Sequence, residues 1–432
     1  MKRSVYNSLI EWKLNKGRKP LILNGARQVG KTYVLQEFAK QEFSKYVYVS
    51  LDRNEKAKKI LESEASVQSI ILTLSALTGI DITPNETLII IDEIQESPKA
   101  LNVLKFFCED APEYPIVVAG SLLGISLHEQ VSFPVGKVDM IKMYPMSFNE
   151  FIEALGKQKI ADCLRTNNWE IIPLLRDELI DLLRQYYYVG GMPAVVQSFV
   201  NGGGPQAIRH LQEQILFDYT RDFSKHAPTN QVPRINMVWN SIPSQLAKEN
   251  KKFIYGALKK GARANNFEVA IQWLIDAGLV YKINRVTKIA SPLKFYEDFS
   301  SFKLFTLDTG LMGAMVGASA EVMLTSNDIF KEYKGAFTEL FVCNSLICNN
   351  IQPFYYSSDD AHTEVDFVIQ GTKSVFPIEV KSEENTRSKS LKAIIDKNPQ
   401  LTALRLSMKG KDEQQWMTNL PLYAFIEEIK KL

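Results

Sequence analysis

Residues 25–32 read GARQVGKT and match the phosphate-binding pattern GxxxxGK[ST] at every fixed position. An apolar run of strand length, residues 20–24, precedes this loop, and residues 33–40, which have helical composition, follow it. In that order of elements the loop N–H groups and the helix N-terminus converge on an anion. The pattern therefore predicts a nucleotide site inside a strand–loop–helix unit. The alternative, a glycine turn that carries a lysine but no ligand, is disfavoured by this context.

The pattern predicts a role for each of the residues that define the loop. Lys31 is expected to reach the β- and γ-phosphates and to act in catalysis, and the Thr32 hydroxyl is expected to bind Mg²⁺. Gly25 and Gly30 let the backbone curl. The predicted nucleotide-binding residues are Gly25, Ala26, Arg27, Gln28, Val29, Gly30, Lys31 and Thr32.

A second motif lies downstream, where the continuous apolar run of residues 88–91 ends in Asp92 and Glu93. Such a run is typical of a strand buried on both faces of a parallel sheet, and ligands bind at the carboxyl ends of such strands. We expect Asp92 to associate with Mg²⁺ and Glu93 to orient or deprotonate the attacking water. A further strand, residues 114–119, leads to Ser121, which either senses the γ-phosphate in catalysis or is a solvated turn serine.

Composition narrows the classes of function. The 432 residues carry a net charge of +2, so no global basic field indicates nucleic-acid binding, and any such contact needs local patches. No signal peptide or spanning run is evident, which predicts a cytoplasmic protein without a membrane partner. Scattered cysteines and histidines disfavour a zinc site, disulfides or a Ser-His-Asp triad. These residues are Cys108, Cys163, Cys343, Cys348, His128, His210, His226 and His362.

The pattern of apolar residues predicts four domains. Alternating strands and helices over 1–155 predict an α/β core with a parallel sheet, and the helical stretch 156–230 predicts a lid over the nucleotide site. Residues 231–315 read as a winged helix whose wing strands are 280–283 and 303–307. Its third helix begins near Arg263, Asn265 and Asn266, which either reach DNA bases or belong to a module used for packing or self-assembly. Residues 316–432 form the fourth domain.

The sequence of the fourth domain contains a second candidate site. Strands 364–369 and 375–381 predict a hairpin that places Asp366 opposite Glu379, with Glu379 and Lys381 on one face. Glu339, on a predicted helix 336–346, is a further candidate ligand. Two carboxylates and a lysine on one face are what Mg²⁺-dependent phosphodiester hydrolysis requires. The alternative is a surface hairpin with one cross-strand salt bridge.

Taken together, these residues resemble a prokaryotic family of AAA-type ATPases whose C-terminal domain of unknown function has a restriction-endonuclease-like core. The resemblance runs nearly end to end. The segments that carry it are RKPLIL leading into GARQVGKT, DEIQ at 92–95, AGS at 119–121, YPMSFNEF at 144–151, GGMP at 190–193, YTRD at 219–222, FTLDTGL at 305–311, and the pair EVDF at 364–367 and IEVK at 378–381.

The resemblance implies a fold, ligands and partners. The fold is a P-loop AAA-type core with a helical lid, a winged helix and a restriction-endonuclease-like α/β domain. ATP and Mg²⁺ are the implied cofactors, and Asp366, Glu379 and Lys381 match the nuclease-like positions. AAA ATPases often complete their site with an arginine from a neighbour. Arg221 is one candidate, supplied either by the same chain or by a second copy in a homo-oligomer. Gly136-Lys137 departs from the family's usual Gly-Arg, and lysine lacks the bidentate fork of arginine.

Two functions follow from this interpretation. The leading hypothesis is an ATP-hydrolysing switch that acts on DNA through the winged helix and the nuclease-like domain. The alternative is an ATP-dependent regulatory or assembly protein whose nuclease-like domain is inactive and docks a partner.

Overall fold

The apolar runs of the N-terminal region form one parallel sheet in the computed structural model, which describes residues 1–63, 65–121, 134–248, 251–324, 331–358, 363–382 and 388–432. The sheet has five strands in the order β2-β3-β4-β1-β5, all parallel. Its strands are β1 (Leu21–Asn24), β2 (Lys45–Ser50), β3 (Thr87–Asp92), β4 (Ile116–Gly120) and β5 (Asp139–Lys142). The helices are α1 (Val5–Leu14), α2 (Lys31–Glu42), α3 (Glu55–Glu62), α4 (Val67–Thr78) and α5 (Val103–Asp110).

This sheet belongs to the first of two compact units, which comprises residues 1–144 and 273–279. Every residue of β3 and β4 is buried, as their continuous apolar runs predicted. The predicted α/β class with a parallel sheet is therefore confirmed for this unit. Strand β5 was not predicted, because its sequence, DMIK, is short and only half-buried at the edge of the sheet.

The second unit comprises residues 145–272 and 280–432, and it begins with helices. They are α6 (Phe148–Ala154), α7 (Gln158–Arg165), α8 (Arg176–Val189), α9 (Pro193–Val200) and α10 (Pro205–His226). Ser147 starts α6 with a capping box, in which its hydroxyl accepts a hydrogen bond from the Glu150 N–H and the Glu150 carboxylate accepts one from the Ser147 N–H. The helical composition of 156–230 was thus interpreted correctly, and its role as a lid stays a prediction.

An eight-stranded mixed sheet follows in the second unit, with strand order β12-β13-β11-β10-β9-β8-β6-β7. Its strands are β6 (Val280–Val286), β7 (Glu297–Thr306), β8 (Pro353–Ser357), β9 (Glu364–Gln370), β10 (Val375–Val380), β11 (Ala403–Ser407), β12 (Asp412–Glu413) and β13 (Met417–Pro421). The remaining helices are α11 (Val232–Leu246), α12 (Ala264–Asp276), α13 (Thr309–Met315), α14 (Ala320–Leu324), α15 (Lys331–Cys348), α16 (Lys389–Lys397) and α17 (Ile426–Ile429). None of the described helices is both long and apolar enough to cross a membrane.

The third helix and the two wing strands predicted for a winged helix lie close to their predicted positions, but they do not form a separate module. Strands β6 and β7 pair antiparallel, and β6 also pairs in parallel with β8, with Arg285 opposite Tyr355. The hairpin is therefore continuous with the C-terminal sheet, and the predicted boundary at 315/316 falls inside one compact unit. The sequence could not reveal this pairing, because β6 and β8 are far apart along the chain.

Hydrogen bonds join three of the recognised sequence segments in the second unit, through Gly191 and the buried carboxylate of Asp308. Asp308 accepts hydrogen bonds from the N–H of Gly191 (2.6 Å) and from that of Leu311 (2.8 Å). Burial raises the pKa of Asp308 to about 6. Gly191 also accepts a hydrogen bond at its carbonyl from the Met146 N–H (2.7 Å), and a Cβ on Gly191 would lie 2.2 Å from the Met146 carbonyl oxygen. The segments YPMSF, GGMP and FTLDTGL thus have a structural role here.

Candidate functional site

The phosphate-binding loop has the backbone that its glycines predicted. Gly30 has φ +94°, in the left-handed region where glycine carries no Cβ penalty, and Gln28 also lies at positive φ. A Cβ on Gly25 would lie 2.2 Å from the Met143 carbonyl oxygen, so only glycine fits there. Helix α2 starts at Lys31, directly after Gly30. The loop therefore presents the helix N-terminus that an anion requires.

The Lys31 ammonium is buried inside this loop. It donates hydrogen bonds to the carbonyl oxygens of Gly25 (2.8 Å) and Ala26 (2.9 Å). Burial lowers the pKa of Lys31 to about 8, although the charges of Glu93 and Asp92 act in the opposite direction. A buried cation held by neutral carbonyls keeps its charge available for a nearby phosphate.

The hydroxyl and the carboxylate predicted to hold Mg²⁺ lie side by side. Thr32 Oγ1 donates a hydrogen bond to Asp92 Oδ2 at 2.6 Å, which joins the start of α2 to the end of β3. Tyr48 also donates its hydroxyl proton to Asp92 Oδ2 at 2.9 Å, and burial beside Asp92 raises the pKa of Tyr48 to about 12. Hydroxyl and carboxylate oxygens are hard donors that suit Mg²⁺. The residues present therefore fit this ion.

Glu93 is linked to Ser121 through a residue that was not assigned a role. Gln95 Nε2 donates to Glu93 Oε2, and Gln95 Oε1 accepts a hydrogen bond from the Ser121 N–H at 3.3 Å. Glu93 itself has φ +54°, a left-handed conformation that is costly for a non-glycine residue. The sequence signal for a role of Gln95 was its place in the segment DEIQ. Its contact with Ser121, 26 residues further along the chain, cannot be predicted from the spacing of residues.

Two other contacts to the loop come from segments distant in sequence. Arg3 donates to the carbonyl oxygens of Val29 (2.7 Å) and Tyr144 (2.6 Å). Residues 273–279, at the end of α12 and after it, group with the first unit, and a Cβ on Gly278 would lie 3.4 Å from the Ala26 nitrogen. Neither contact was predicted, because both depend on the tertiary fold.

In the second unit the predicted hairpin has the predicted register. Strands β9 and β10 pair antiparallel with Phe367 opposite Ile378, and one further step places Asp366 opposite Glu379. Asp366 Oδ2 accepts a hydrogen bond from the Val380 N–H at 2.7 Å. Lys381 Nζ lies 2.6 Å from Glu379 Oε1, so these two side chains meet on one face as expected.

Glu339, on α15, lies close enough to Asp366 for the two charges to interact. We call Glu339, Asp366 and Glu379 the carboxylate cluster. Burial and then the charge of Asp366 raise the pKa of Glu339 to about 7. Glu339 Oε1 forms an ion pair with Lys251, and burial lowers the pKa of Lys251 while Glu339 and Asp366 raise it, with a net increase. Among the described residues, Glu339 Oε2 and Glu379 Oε2 are buried without a hydrogen-bond partner.

The two candidate metal centres differ in how well they fit an ion. Within the described ranges, no three His, Cys, Asp or Glu side chains are grouped to hold a metal ion. The unpartnered oxygens of the carboxylate cluster are suitable donors for a divalent cation, but Lys251 already pairs with Glu339. His128 and His362 lie outside the described residues, and the described cysteines are free thiols.

The residues predicted to contact DNA are exposed at the start of α12. Arg263, Asn265 and Asn266 all face solvent, and the Arg263 N–H donates to Asn266 Oδ1 at 3.3 Å. Lys259 and Lys260 in the preceding turn are also exposed. Arg221 is exposed on α10, with its guanidinium 5.9 Å from the centre of the Phe217 ring. Lys137 of the Gly-Lys pair forms an ion pair with Glu109 at 2.9 Å.

Comparison with known families divides the chain into three segments. Residues 17–152 match the AAA domain, residues 180–322 match a domain of unknown function (DUF8612), and residues 334–425 match another (DUF4143). The segment that matches the AAA domain contains the phosphate-binding loop and all five strands of the parallel sheet. A search of curated proteins found no significant match.

Solved structures that align with this chain include the following three, each with a TM-score below 0.5. The Walker-type ATPase PABY2304 of Pyrococcus abyssi is 12% identical, with a TM-score of 0.48 over 73% of this chain and 95% of that one. The Orc1 protein of Aeropyrum pernix in complex with DNA is 13% identical, with a TM-score of 0.31 over 73% and 90%. The RuvB Holliday junction branch migration motor of Thermotoga maritima is 14% identical, with a TM-score of 0.31 over 65% and 89%.

Proposed function

We propose that this chain binds Mg·ATP at residues 25–32 and hydrolyses it. The observation that carries the proposal is the 2.6 Å hydrogen bond between Thr32 and Asp92, beside the buried ammonium of Lys31. The Thr32 hydroxyl, the Asp92 carboxylate and the Lys31 ammonium, which belong to two separate motifs, thus lie together where β3 ends and α2 begins. Phosphoryl transfer needs these groups together, because its catalysis is mainly positioning and charge stabilisation.

Each residue has a distinct task in this proposal. Lys31 binds the β- and γ-phosphate oxygens, and Thr32 and Asp92 hold Mg²⁺, which when bound neutralises the charge on those oxygens. Glu93 accepts a proton from the attacking water. Gln95 positions the Glu93 carboxylate, and Ser121 lies at the end of the neighbouring strand as the candidate γ-phosphate sensor.

Titration calorimetry with Mg·ATP tests the binding step. Lys31→Ala should abolish the binding heat, because the phosphates lose their buried cation. Lys40→Ala is the matched control, since Lys40 is an exposed lysine of the same helix that pairs with Glu37 at 3.2 Å. No heat with the wild-type protein at millimolar Mg·ATP would refute the proposal.

We further propose that nucleotide state controls an action on DNA by the second unit. Support comes from the exposed Arg263, Asn265 and Asn266 at the N-terminus of α12 and from the nuclease-like pattern of Asp366, Glu379 and Lys381. Arg221 is the candidate arginine that the same chain or a second copy in a homo-oligomer supplies to the nucleotide site.

DNA binding and cleavage assays with Mg²⁺ or Mn²⁺ test this second step. Binding should weaken with salt, since phosphate contacts release counterions, and Asp366→Ala and Glu379→Ala should remove any cleavage. Salt-insensitive or absent binding argues against DNA, and equal cleavage by the variants argues against a nuclease.

Two observations favour the alternative, in which the C-terminal domain is inactive and docks a partner in an ATP-dependent regulatory or assembly role. Glu339 is paired with Lys251, and among the described residues no three ligand side chains are grouped for a metal. An inactive domain should bind a partner without cleaving DNA under any nucleotide condition.

A further inference from the structure

We propose that Tyr48 is a positioning residue of the nucleotide site in the first unit, and that it acts by holding the Asp92 carboxylate. Neither the phosphate-loop pattern nor the acidic pair at 92–93 indicates a role for a tyrosine on β2. The inference rests on the proposed Mg·ATP site and adds to it a residue that binds a ligand of the ion rather than the ion itself. Its effect is on how strongly Mg²⁺ promotes nucleotide binding.

The register of the parallel sheet places the Tyr48 side chain beside Asp92. In the pairing of β2 with β3, Tyr48 lies opposite Ile90 and Ser50 lies opposite Asp92. Alternate residues of a strand share a face, so Tyr48 and Asp92 lie on the same face of the sheet. The Tyr48 hydroxyl extends toward the end of β3 and donates a hydrogen bond to Asp92 Oδ2 at 2.9 Å. The contact is therefore determined by the pairing of two strands.

The Asp92 carboxylate accepts hydrogen bonds from three parts of the first unit. Oδ1 accepts one from the Glu93 N–H at 2.9 Å, and Oδ2 accepts one from Thr32 Oγ1 at 2.6 Å in addition to that from Tyr48. Asp92 is only 3% exposed, so these donors replace most of its contact with water. Hydrogen bonds to an ionised carboxylate are stronger than those between neutral groups. The donors therefore fix the orientation of the carboxylate before an ion binds.

Tyr48 differs from the other two donors because its hydroxyl has no other task in the proposed site. The Thr32 hydroxyl is itself a proposed ligand of Mg²⁺, and the Glu93 N–H belongs to the proposed base. Groups that orient a metal ligand typically contribute roughly 10- to 100-fold to metal affinity. Loss of the Tyr48 hydroxyl should therefore weaken the contribution of Mg²⁺ and leave the phosphate contacts of Lys31 intact.

Calorimetric titration of the full chain with a non-hydrolysable ATP analogue, in excess Mg²⁺ and in EDTA, tests the inference. The ratio of the two affinities is the Mg²⁺ enhancement. Tyr48→Phe removes only the hydroxyl and should lower this enhancement about tenfold, while the affinity in EDTA stays equal to that of wild type. Tyr46→Phe is the matched control and should behave like wild type, because Tyr46 lies on the same face of β2 but opposite Leu88, four positions before Asp92.

A double variant tests whether Tyr48 acts through Asp92. In an Asp92→Asn background, Tyr48→Phe should cause no further loss of the Mg²⁺ enhancement, whereas a residue that acts independently would lower it again by the same factor. A further loss in that background would overturn the inference.

The outcomes separate this inference from the proposed function. A full Mg²⁺ enhancement in Tyr48→Phe, or an equal loss of affinity in Mg²⁺ and in EDTA, would overturn the role of Tyr48 and leave the Mg·ATP site standing. No Mg²⁺ enhancement in the wild-type protein would refute the proposed Mg²⁺ site, and the role of Tyr48 with it.

Discussion

Each unit of this protein places a lysine beside carboxylates, and the two lysines are bonded differently. Lys31 donates its hydrogen bonds to the carbonyl oxygens of Gly25 and Ala26, while Asp92 and Glu93 act on it only through space. Lys251 instead pairs directly with Glu339. An ammonium held by neutral carbonyls keeps its charge for an incoming polyanion, whereas one bound to a carboxylate is largely neutralised. Residue types alone therefore do not identify a ligand site.

The largest expected effect is on ATP hydrolysis at the nucleotide site of the first unit. Glu93→Gln should keep Mg·ATP binding and lower turnover at least about 100-fold, because the amide retains the shape but cannot accept the proton. Phosphate release and calorimetry measure the two steps. Glu96→Gln is the control, because Glu96 ends the short 3-10 helix Ile94–Glu96 that directly follows Glu93. Retained hydrolysis in Glu93→Gln would mean that another residue activates the water.

A second test removes the ion pair between Lys251 and Glu339 in the second unit. Lys251→Ala should lower the free energy of unfolding by about 3 kcal/mol, since it leaves the buried Glu339 charge uncompensated. Urea denaturation followed by tryptophan fluorescence measures the loss. The exposed pair of Lys40 and Glu37 supplies the comparison, and Lys40→Ala should cost less than about 1 kcal/mol. Similar losses for both variants would contradict the contrast between the pairs.

A third test asks whether Gln95 positions the base. Gln95→Ala should lower kcat about tenfold with little change in KM, because the Glu93 carboxylate loses its hydrogen-bond donor. Gln95→Asn has the same amide on a shorter side chain and should recover part of the rate. An equal loss in kcat and binding, with no recovery by asparagine, would indicate a merely structural role.

The smallest effect concerns pH. Burial lowers the pKa of Lys31 to about 8, so the free protein loses the ammonium proton as the pH rises through that value. If only the charged form binds phosphates, ATP affinity should fall about fourfold between pH 7 and about pH 8.5. Calorimetry in buffers of different ionisation enthalpy should show proton uptake on binding at the higher pH. A flat profile would mean that Lys31 stays charged throughout.

The first site was largely predictable from sequence, because its signals are local. The run before Asp92 and the glycines around Lys31 determine a strand end and a loop. The core strands predicted at residues 20–24, 88–91 and 114–119 are found within one or two residues of their expected limits. The roles of Gln95, Arg3 and Lys251 were not predictable, since each depends on a contact with a distant segment. The hairpin register of β9 and β10 was predicted correctly, because a short turn sets it.

The pairing of β6 with β8 limits how the chain can be divided for experiments. A fragment that starts after residue 315 would lack β6 and β7, and β8 would become the outermost strand with bare amide and carbonyl groups along one side. Unprotected borders of this kind recruit other chains and promote aggregation. A soluble C-terminal fragment should therefore begin before β6, so that the hairpin shields that border.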